Sequence, residues 1–298
     1  MGPVRLGSTP SSPTKNMLKE EITNPNTSTE IKRDHLKDLF EEIGLDVEKI
    51  NPNIMRKLRL LNEKTETFKD EERSLQVARS LFEYYKNRLA DIRFTDQEQR
   101  VILIGTMFAD IGKTGPKDAT PEQEEIILDI YGVENIPDPN SITLLEFVSK
   151  YFPADAEKRL SSIETINKVR SNMTMREFYN LHSEWTFQII SGDGVPPEAI
   201  AAAAAHHMIE GINPEEIVGK GGRFTRFFGE NVFFDRAEKL VIILDKYDGF
   251  RRRGKKGHKE AIALIRKKIK ENPNFLNDRE FEELLSNLDA MISENEQT

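Results

Sequence analysis

The sequence contains no cysteine. That absence excludes disulfide scaffolds, thiolate zinc sites, iron–sulfur clusters and cysteine nucleophiles. The chain also lacks any apolar run close to the roughly 18 to 20 residues that a membrane-spanning helix needs. Its N-terminus lacks the charged-then-apolar pattern of a secretory signal. We therefore expect a cytoplasmic protein with no membrane partner.

A basic surplus is missing as well, because 51 acidic residues outnumber 43 Lys and Arg and give a formal net charge of −8. Sequence-independent nucleic-acid binding normally needs a basic surplus, so nucleic acid is not an expected partner. The 298 residues are 37% hydrophobic and 32% charged, a composition typical of a globular protein. A chain of this length buries roughly three-quarters of its unfolded surface, so its core needs no disulfide or structural metal.

The apolar pattern is helical throughout and predicts an all-α fold. The clearest stripe joins Leu75, Ala78, Phe82, Tyr85 and Leu89, which are spaced alternately three and four residues apart. No stretch longer than about five residues alternates as a half-buried strand would. Further helices are expected at 54–61, 97–109, 121–131, 141–151, 156–171, 175–190, 197–210, 236–250 and, as a pair, within 260–292.

The N-terminal region divides into two parts. Residues 1–29 are rich in Ser, Thr, Pro, Asn and Gly, and we expect a disordered tail because they offer little apolar surface to offset the entropy of ordering. Helical spacing then begins, and residues 30–65 are expected to form N-terminal helices, the first of which stops at Gly44.

Histidines and aspartates form the most informative constellation of the chain. His182, His206 and His207 are expected on two neighbouring helices, and Asp110 and Asp245 at the ends of two others. Imidazoles and carboxylates that converge from several helices are typical of a transition-metal site. Each residue also has an ordinary interpretation, since histidine complements a helix C-terminus and aspartate often ends a helix or sits in a solvated turn.

The order of these residues resembles a known superfamily, the HD-domain metal-dependent phosphohydrolases. The resemblance is closest to the HD-GYP cyclic dinucleotide phosphodiesterases. It rests on RSLQVARSL at 73–81, GTMFADIGKTGP at 105–116, His182, HHMIEGINP at 206–214 and RAEKLVIILDKYDGF at 236–250. It implies an HD-type helical bundle over 66–292. A helical insertion at about 117–174 is also implied, which would cap the site or bind a protein partner.

The resemblance also implies roles for individual residues. Five metal ligands are implied: Asp110, His182, His206, His207 and Asp245. Asp110 would bridge two metals, the histidines would serve the second metal and its neighbour, and Asp245 would be the last ligand of the first metal, in a turn. Lys113 would neutralise a substrate phosphate. In that family a metal-activated water attacks phosphorus.

Two departures from the family pattern fall on the first metal. Arg73 stands where the family has its first histidine, and Ala109 replaces the histidine of the HD dipeptide. A guanidinium does not ligate a divalent cation. We therefore expect Arg73 to pair with Asp110 or Asp245, and one metal rather than two. Iron or manganese suits the remaining nitrogen and oxygen ligands best, and zinc or magnesium is also compatible.

The expected substrate is a phosphorylated small molecule or a cyclic nucleotide. The GYP signature is missing after the histidine pair, which weakens the case for a cyclic dinucleotide in particular. Lys113, Arg73 and two arginines of the glycine-rich stretch 219–229, Arg223 and Arg226, are candidate phosphate contacts. The basic cluster at 251–259 fits either a solvated helix face or a phosphate-binding patch.

Three hypotheses about function follow. The first is a metal-binding phosphohydrolase with a partly degraded dinuclear site. The second is an inactive pseudoenzyme that senses nucleotides or binds proteins, with Arg73 in place of the metal. The third is that Ala109 replaces a histidine in an otherwise active enzyme, although the further loss at Arg73 argues for natural decay.

Overall fold

The computed structural model describes residues 36–134, 136–192, 194–219 and 234–295. The chain divides into two compact units, 1–39 and 40–298. In the first unit the described residues 36–39 are helical, and everything below concerns the second unit. The expected disordered tail at 1–29 and the candidate phosphate contacts Arg223 and Arg226 lie outside the described residues.

The fold is all-α, as predicted, and no strand is present in the described ranges. An isolated β-bridge joins Thr143 and Thr174. None of the described helices combines the length and apolarity needed to cross a membrane. The helices are α1 (36–42), α2 (Pro52–Lys64), α3 (Thr67–Arg88), α4 (Asp96–Phe108), α5 (Pro121–Gly132), α6 (Leu144–Tyr151), α7 (Ala156–Ile163), α8 (Met175–Ile190), α9 (Pro197–Ala204), α10 (Arg236–Arg252), α11 (His258–Glu271) and α12 (Arg279–Asn295).

Capping boxes set the start of the helices that carry the site. Thr95 begins α4, Thr174 begins α8 and Asp235 begins α10, each with a glutamate three residues later that bonds back to the cap. Such reciprocal bonds satisfy two backbone N–H groups that the helix itself leaves free. These caps fix where each helix begins and therefore which residues its buried face presents.

The main core lies among α3, α4, α9, α10, α11 and α12. Helices α4 and α9 approach closely because small residues face each other. A Cβ on Gly105 would lie 2.8 Å from the Cβ of Ala202. The alanine-rich α9 is buried along its length. This close packing brings the C-terminal ends of α4 and α9 together, where Asp110 and His206 follow.

A second hydrophobic cluster involves α5, α6, α7 and α8. Its members include Ile127, Phe147, Ile163, Phe178 and Trp185, and Trp185 is only 2% exposed. Trp185 is therefore a core residue. The segment between α4 and α8 thus has its own apolar core, and α8 belongs to that core while also carrying His182.

Three local predictions were wrong. The helix expected at 156–171 ends at Ile163, because the Glu164 carboxylate accepts from Ser171 N at 2.7 Å and closes a loop. Helix α9 ends at Ala204, so the histidine pair lies in the turn beyond it. Asp245 lies within α10 rather than in a turn, because no proline interrupts α10 and Gly249 alone does not end it before Arg252.

Candidate metal centre

A short turn after α4 positions Asp110 against α8. The Thr186 hydroxyl donates to Ala109 O at 2.9 Å and accepts from Gly112 N at 3.1 Å. A Cβ on Gly112 would lie 1.9 Å from His182 O, so only glycine fits between the turn and the helix. These contacts fix the position of Asp110 relative to His182.

The rings of His182 and His206 face each other through their Nε2 atoms, which lie 2.9 Å apart. The Nδ1 atom of His182 donates to Tyr179 O, and that of His206 donates to Ala203 O at 2.6 Å. A carbonyl can only accept, so these contacts place the ring protons on Nδ1. Both Nε2 atoms then present lone pairs to each other, an arrangement that a cation would stabilise.

His206 lies beyond the end of α9, and its ring bonds a carbonyl of that helix. In a continued helix, Ala203 O would accept from the backbone of residue 207, but here the His206 ring takes that carbonyl. The chain leaves the helix, and His206 and His207 turn toward α8 with ring centroids 5.0 and 4.9 Å from that of His182.

Asp110 faces the two imidazoles with one oxygen and Lys113 with the other. Its Oδ1 lies 3.3 Å from His182 Nε2 and 3.8 Å from His206 Nε2, and Lys113 Nζ lies 2.5 Å from Oδ2. Burial opposes its charge, but Lys113 and the nearby imidazoles hold the pKa of this carboxyl well below its ordinary value. Asp110 is therefore an anion, and Lys113, predicted as a phosphate contact, is itself buried against it.

His207 completes a group of three histidines whose candidate ligand nitrogens lie within 4.8 Å of one another. The Glu210 carboxylate accepts from His207 Nδ1. Lys246 lies 2.8 Å from Glu210 and 2.9 Å from Asp245. Burial lowers the pKa of His207 to about 4. A neutral ring held from behind by a carboxylate is the usual state of a metal-ligating histidine.

Asp245 lies beside this group rather than in it. Together with Asp110 it lines a small cavity of about 20 Å³, whose wall also includes Glu71 and Ala109. Of the predicted ligands, therefore, the structure gathers the three histidines and Asp110, and it places Asp245 on the neighbouring cavity.

The prediction that Arg73 pairs with Asp110 or Asp245 was wrong. Arg73 binds Asp248 at 3.0 Å and also Asp70, and its side chain is 42% exposed. Arg73 lies off the buried stripe of α3, because the stripe that includes Leu75 continues through position 71 instead. Arg73 therefore does not place its guanidinium beside Asp110 or Asp245.

Several residues that face the site were missed by sequence reasoning. Glu71 precedes Leu75 by one helical turn, so its place on the apolar stripe of α3 was a signal that it is buried. Arg253 lines the same cavity, and although burial opposes its charge, the surrounding carboxylates raise its pKa. No sequence signal separated Arg253, or Lys246 and Glu210, from ordinary surface charges.

A larger groove of about 720 Å³ adjoins the acidic cavity, and the two share Ser74 and Asp248. The walls of the groove combine an apolar surface with cations. The cations are Arg73, Arg251, Arg252, Lys255 and Lys256. Part of the basic cluster at 251–259 therefore faces a concave surface next to the site.

Comparisons with protein-family models, curated proteins and solved structures found no match to the chain. The site's interpretation therefore depends on its own geometry.

Proposed function

We propose that this chain is a metal-dependent phosphohydrolase that acts on a phosphoester of a nucleotide-like small molecule. The observation that carries the proposal is the pair of Nε2 atoms of His182 and His206, 2.9 Å apart, with both Nδ1 atoms bonded to carbonyls. His207 and Asp110 supply the third and fourth donors. Buried imidazoles whose orientation is fixed in this way serve metal binding better than they serve stability.

The donor set suits one divalent transition metal. Three imidazoles and one carboxylate favour iron, manganese or zinc, and magnesium prefers an all-oxygen site. When bound, such an ion polarises a phosphoryl oxygen and makes water a stronger acid. The family resemblance of the motif order supports this chemistry, and membership of the HD superfamily is part of the proposal.

The protein's own groups would hold the reactants. Glu210 fixes the His207 ring, Asp110 anchors the centre, and Lys113 supplies a fixed positive charge beside the phosphate. In the reaction the water oxygen bonds to phosphorus while the ester P–O bond breaks. The leaving alcohol takes up a proton.

The adjoining groove supports the substrate class. Its volume of about 720 Å³ lies within the range typical of small-ligand pockets. Leu244 and Val77 give it an apolar wall suited to a base or other ring, and Arg251 and Lys255 give it cations suited to phosphate. A cyclic nucleotide or another phosphorylated small molecule fits this combination. A protein partner for α5–α7 stays a prediction.

One observation favours the alternative of an inactive protein that binds a phosphorylated ligand. Ala109, which is 5% exposed, supplies no ligand to the cavity that it lines, and Lys113 already pairs with Asp110. A centre reduced in this way keeps an electrostatic attraction for phosphate while losing part of its catalytic metal. This alternative predicts ligand binding without turnover.

Hydrolysis of bis(4-nitrophenyl) phosphate by metal-stripped protein reloaded with Mn²⁺ or Zn²⁺ tests the proposal. We expect metal-stimulated turnover that falls at least about a hundredfold in His206→Ala and Asp110→Asn. His258→Gln is the matched control, because His258 is equally buried but bonds Tyr247 and Asp289 on the other side of α10. Protein that binds the metal but shows no turnover would support the inactive alternative, and protein that binds no metal would contradict both the centre and the proposed activity.

A further inference from the structure

Four charged side chains form an ionic cluster at the boundary between the large groove and the small acidic cavity. Asp70 and Arg73 lie on α3, and Asp248 and Arg252 lie on α10. Arg73 binds Asp70, and its Nε lies 3.0 Å from Asp248 Oδ1. Arg252 also binds Asp70, and its Nε lies 3.7 Å from Asp248 Oδ2. The arginines line the groove, both aspartates line the cavity, and Asp248 reaches both spaces.

The groove beside this ionic cluster carries an excess of positive charge. Among the described residues that line it, five are cations and one, Asp248, is an acid. The whole chain has a net charge of −8, so this excess is local. A concave surface that carries charge of one sign concentrates ions of the opposite sign. The groove therefore attracts anions, and Asp70 and Asp248 are the anions that the chain itself supplies to the two arginines.

The two guanidiniums keep hydrogen-bonding capacity that the chain does not use. Arg252 Nε is buried without a hydrogen-bond partner among the described residues, because 3.7 Å from Asp248 Oδ2 is too long for a hydrogen bond. The Arg73 side chain is 42% exposed and lines the groove. A guanidinium presents its N–H donors as a flat fork that fits a phosphate as well as a carboxylate. Both arginines can therefore bond a phosphoryl group.

The aspartates are replaceable partners for these arginines. Burial raises the pKa of Asp70 above its ordinary value, although Arg252 and Arg73 act to lower it. The ion pairs thus do not fully offset the cost of removing this carboxylate from water. A phosphomonoester carries a charge of about −1.5 to −2 at pH 7, whereas a carboxylate carries −1. A phosphoryl group in the groove can therefore displace a carboxylate from the arginines.

We propose that Arg73 and Arg252 form a binding site for a phosphoryl group of a small molecule in the groove, and that Asp70 and Asp248 occupy this site in the free protein as competitors. The inference rests on the proposed function only for the choice of a phosphorylated ligand, because binding here needs neither the histidine centre nor turnover. Binding would also break ion pairs that join α3 to α10 beside the acidic cavity.

Binding of inorganic pyrophosphate to the metal-stripped full chain tests the proposal, with isothermal titration calorimetry in about 0.15 M NaCl to screen distant charges. We expect Asp70→Asn and Asp248→Asn to bind pyrophosphate roughly fivefold more tightly than wild type, because each substitution removes a competitor. Arg252→Gln should bind it roughly fivefold more weakly. Arg252→Lys keeps the charge but removes the fork, so it should also bind more weakly, and it keeps the test decisive if Arg252→Gln folds poorly.

Glu66→Gln is the matched control for the loss of a nearby negative charge. The pKa of Glu66 is lowered mainly by its hydrogen bond with Lys69 and also by the charges of Arg252 and Arg73. Glu66 therefore lies in the field of the same arginines, but its ion pair is with Lys69. This variant should bind pyrophosphate as wild type does. Lys270→Gln, at an exposed position of α11 outside the groove, is the control for the loss of a cation.

The outcomes separate this site from the proposed activity. Unchanged or weaker binding in both asparagine variants would overturn the proposal, because the aspartates would then not compete with the anion. An equal gain in Glu66→Gln would overturn it as well, since net charge alone would explain the gain. Metal-stimulated turnover without these affinity changes would leave the histidine centre standing and contradict the anion site. The expected affinity changes in a protein without metal-dependent turnover would support the anion site and contradict the proposed hydrolysis.

Discussion

The centre has a histidine side, formed by His182, His206 and His207, and a carboxylate side, formed by Asp110, Asp245 and Glu71. Both sides are buried, but their polar groups are stabilised in different ways. On the histidine side, burial keeps His206 and His207 neutral, and hydrogen bonds from behind turn their free nitrogens inward. On the carboxylate side, Asp110 and Asp245 keep their charge beside lysines. Glu71 has no such partner. Hydrogen bonds therefore fix the orientation of the imidazoles on the histidine side. On the carboxylate side, lysines balance the charge of Asp110 and Asp245.

This comparison teaches how one fold can bury two unlike sets of polar side chains within a few ångströms of each other. Backbone carbonyls such as Tyr179 O and Ala203 O can orient an imidazole because the ring has a second nitrogen. A carboxylate has no second group of that kind, so its charge must be met by a cation. The predictions below test whether the two sides depend on the same structure and whether they respond differently to pH and to substitution.

The largest effect is expected from Gly112→Ala, because Gly112 lies in the turn after α4 that fixes Asp110 against α8. A Cβ at this position would lie 1.9 Å from His182 O and 2.6 Å from Thr186 N, so backbone must move. We expect a loss of about 3 kcal/mol or more in the free energy of unfolding, measured by urea denaturation. Gly132→Ala is the control, because nothing lies within 4 Å of its added Cβ. A Gly112→Ala protein as stable as the control would show that a side chain at position 112 fits between the turn and α8.

A pH-dependent effect is expected from Glu71→Gln in chelator-treated protein. Burial raises the pKa of Glu71 well above its ordinary 4.5. Between pH 4.5 and the folded-state pKa, the unfolded chain ionises this group while the folded chain keeps its proton, so stability falls as pH rises. Glutamine removes that loss, and we expect a gain of about 1 to 3 kcal/mol at pH 7.5 that disappears near pH 4.

On the histidine side, stability is expected to change with pH in the opposite direction. Burial lowers the pKa of His207 from 6.5 to about 4, so the unfolded chain takes up a proton below pH 6.5 that the folded chain refuses. Its contribution to stability is therefore lost as pH falls toward 4. Urea denaturation across this range should show the two slopes, with Glu157→Gln, at an exposed position of α7, as the control. A Glu71→Gln gain that persists unchanged at pH 4 would contradict the assignment.

A smaller effect is expected from Ala109→His, which places a histidine at the boundary between the two sides. The cavity that Ala109 lines has only about 20 Å³, less than an imidazole occupies, so neighbouring side chains must shift. We expect a loss of about 1 to 3 kcal/mol in urea denaturation. Ala109→Ser, which barely changes the volume, is the control. If the histidine variant proved as stable as wild type, the cavity would accept an imidazole, and the interpretation that Ala109 replaces a natural histidine would gain weight.

Much of the architecture followed from sequence periodicity. The stripe through Leu75 and Tyr85 predicted α3, the pair of helices predicted within 260–292 is α11 and α12, and helix 175–190 was predicted with the bounds that the structure has. The convergence of His182 with the histidine pair also followed, since both elements were expected to be adjacent.

What sequence reasoning lacked was the direction of individual charged side chains. The stripe of α3 through Leu75 indicated that Glu71 is buried and Arg73 is not, but only packing against α4 and α10 decides that Glu71 reaches the small cavity. Helix α9 ends at Ala204 although its alanines favour a longer helix, and local propensity does not encode that end. Arg253 reaches the cavity only because α10 continues beyond Asp245.

The smallest effect is expected from Tyr131→Phe, which reaches the histidine side from α5. The Tyr131 hydroxyl donates to Tyr179 O at 3.1 Å, and the same carbonyl accepts from His182 Nδ1. Without this hydroxyl, the Tyr179 carbonyl that orients His182 loses one of its hydrogen bonds. We expect a loss of stability of about 1 kcal/mol or less and a Zn²⁺ affinity lowered by roughly tenfold or less.

The same variant discriminates between the two sides, because Tyr131 does not line the acidic cavity. The pH-dependent gain from Glu71→Gln should therefore be the same in the Tyr131→Phe background as in wild type. Tyr151→Phe is the matched control, since Tyr151 packs on Phe147 in the same apolar cluster without contacting the site. A smaller Glu71→Gln gain in the Tyr131→Phe background would mean that the two sides are coupled through α8. A loss of Zn²⁺ affinity alone would mean that the segment between α4 and α8 supports the orientation of one imidazole and leaves the carboxylates untouched.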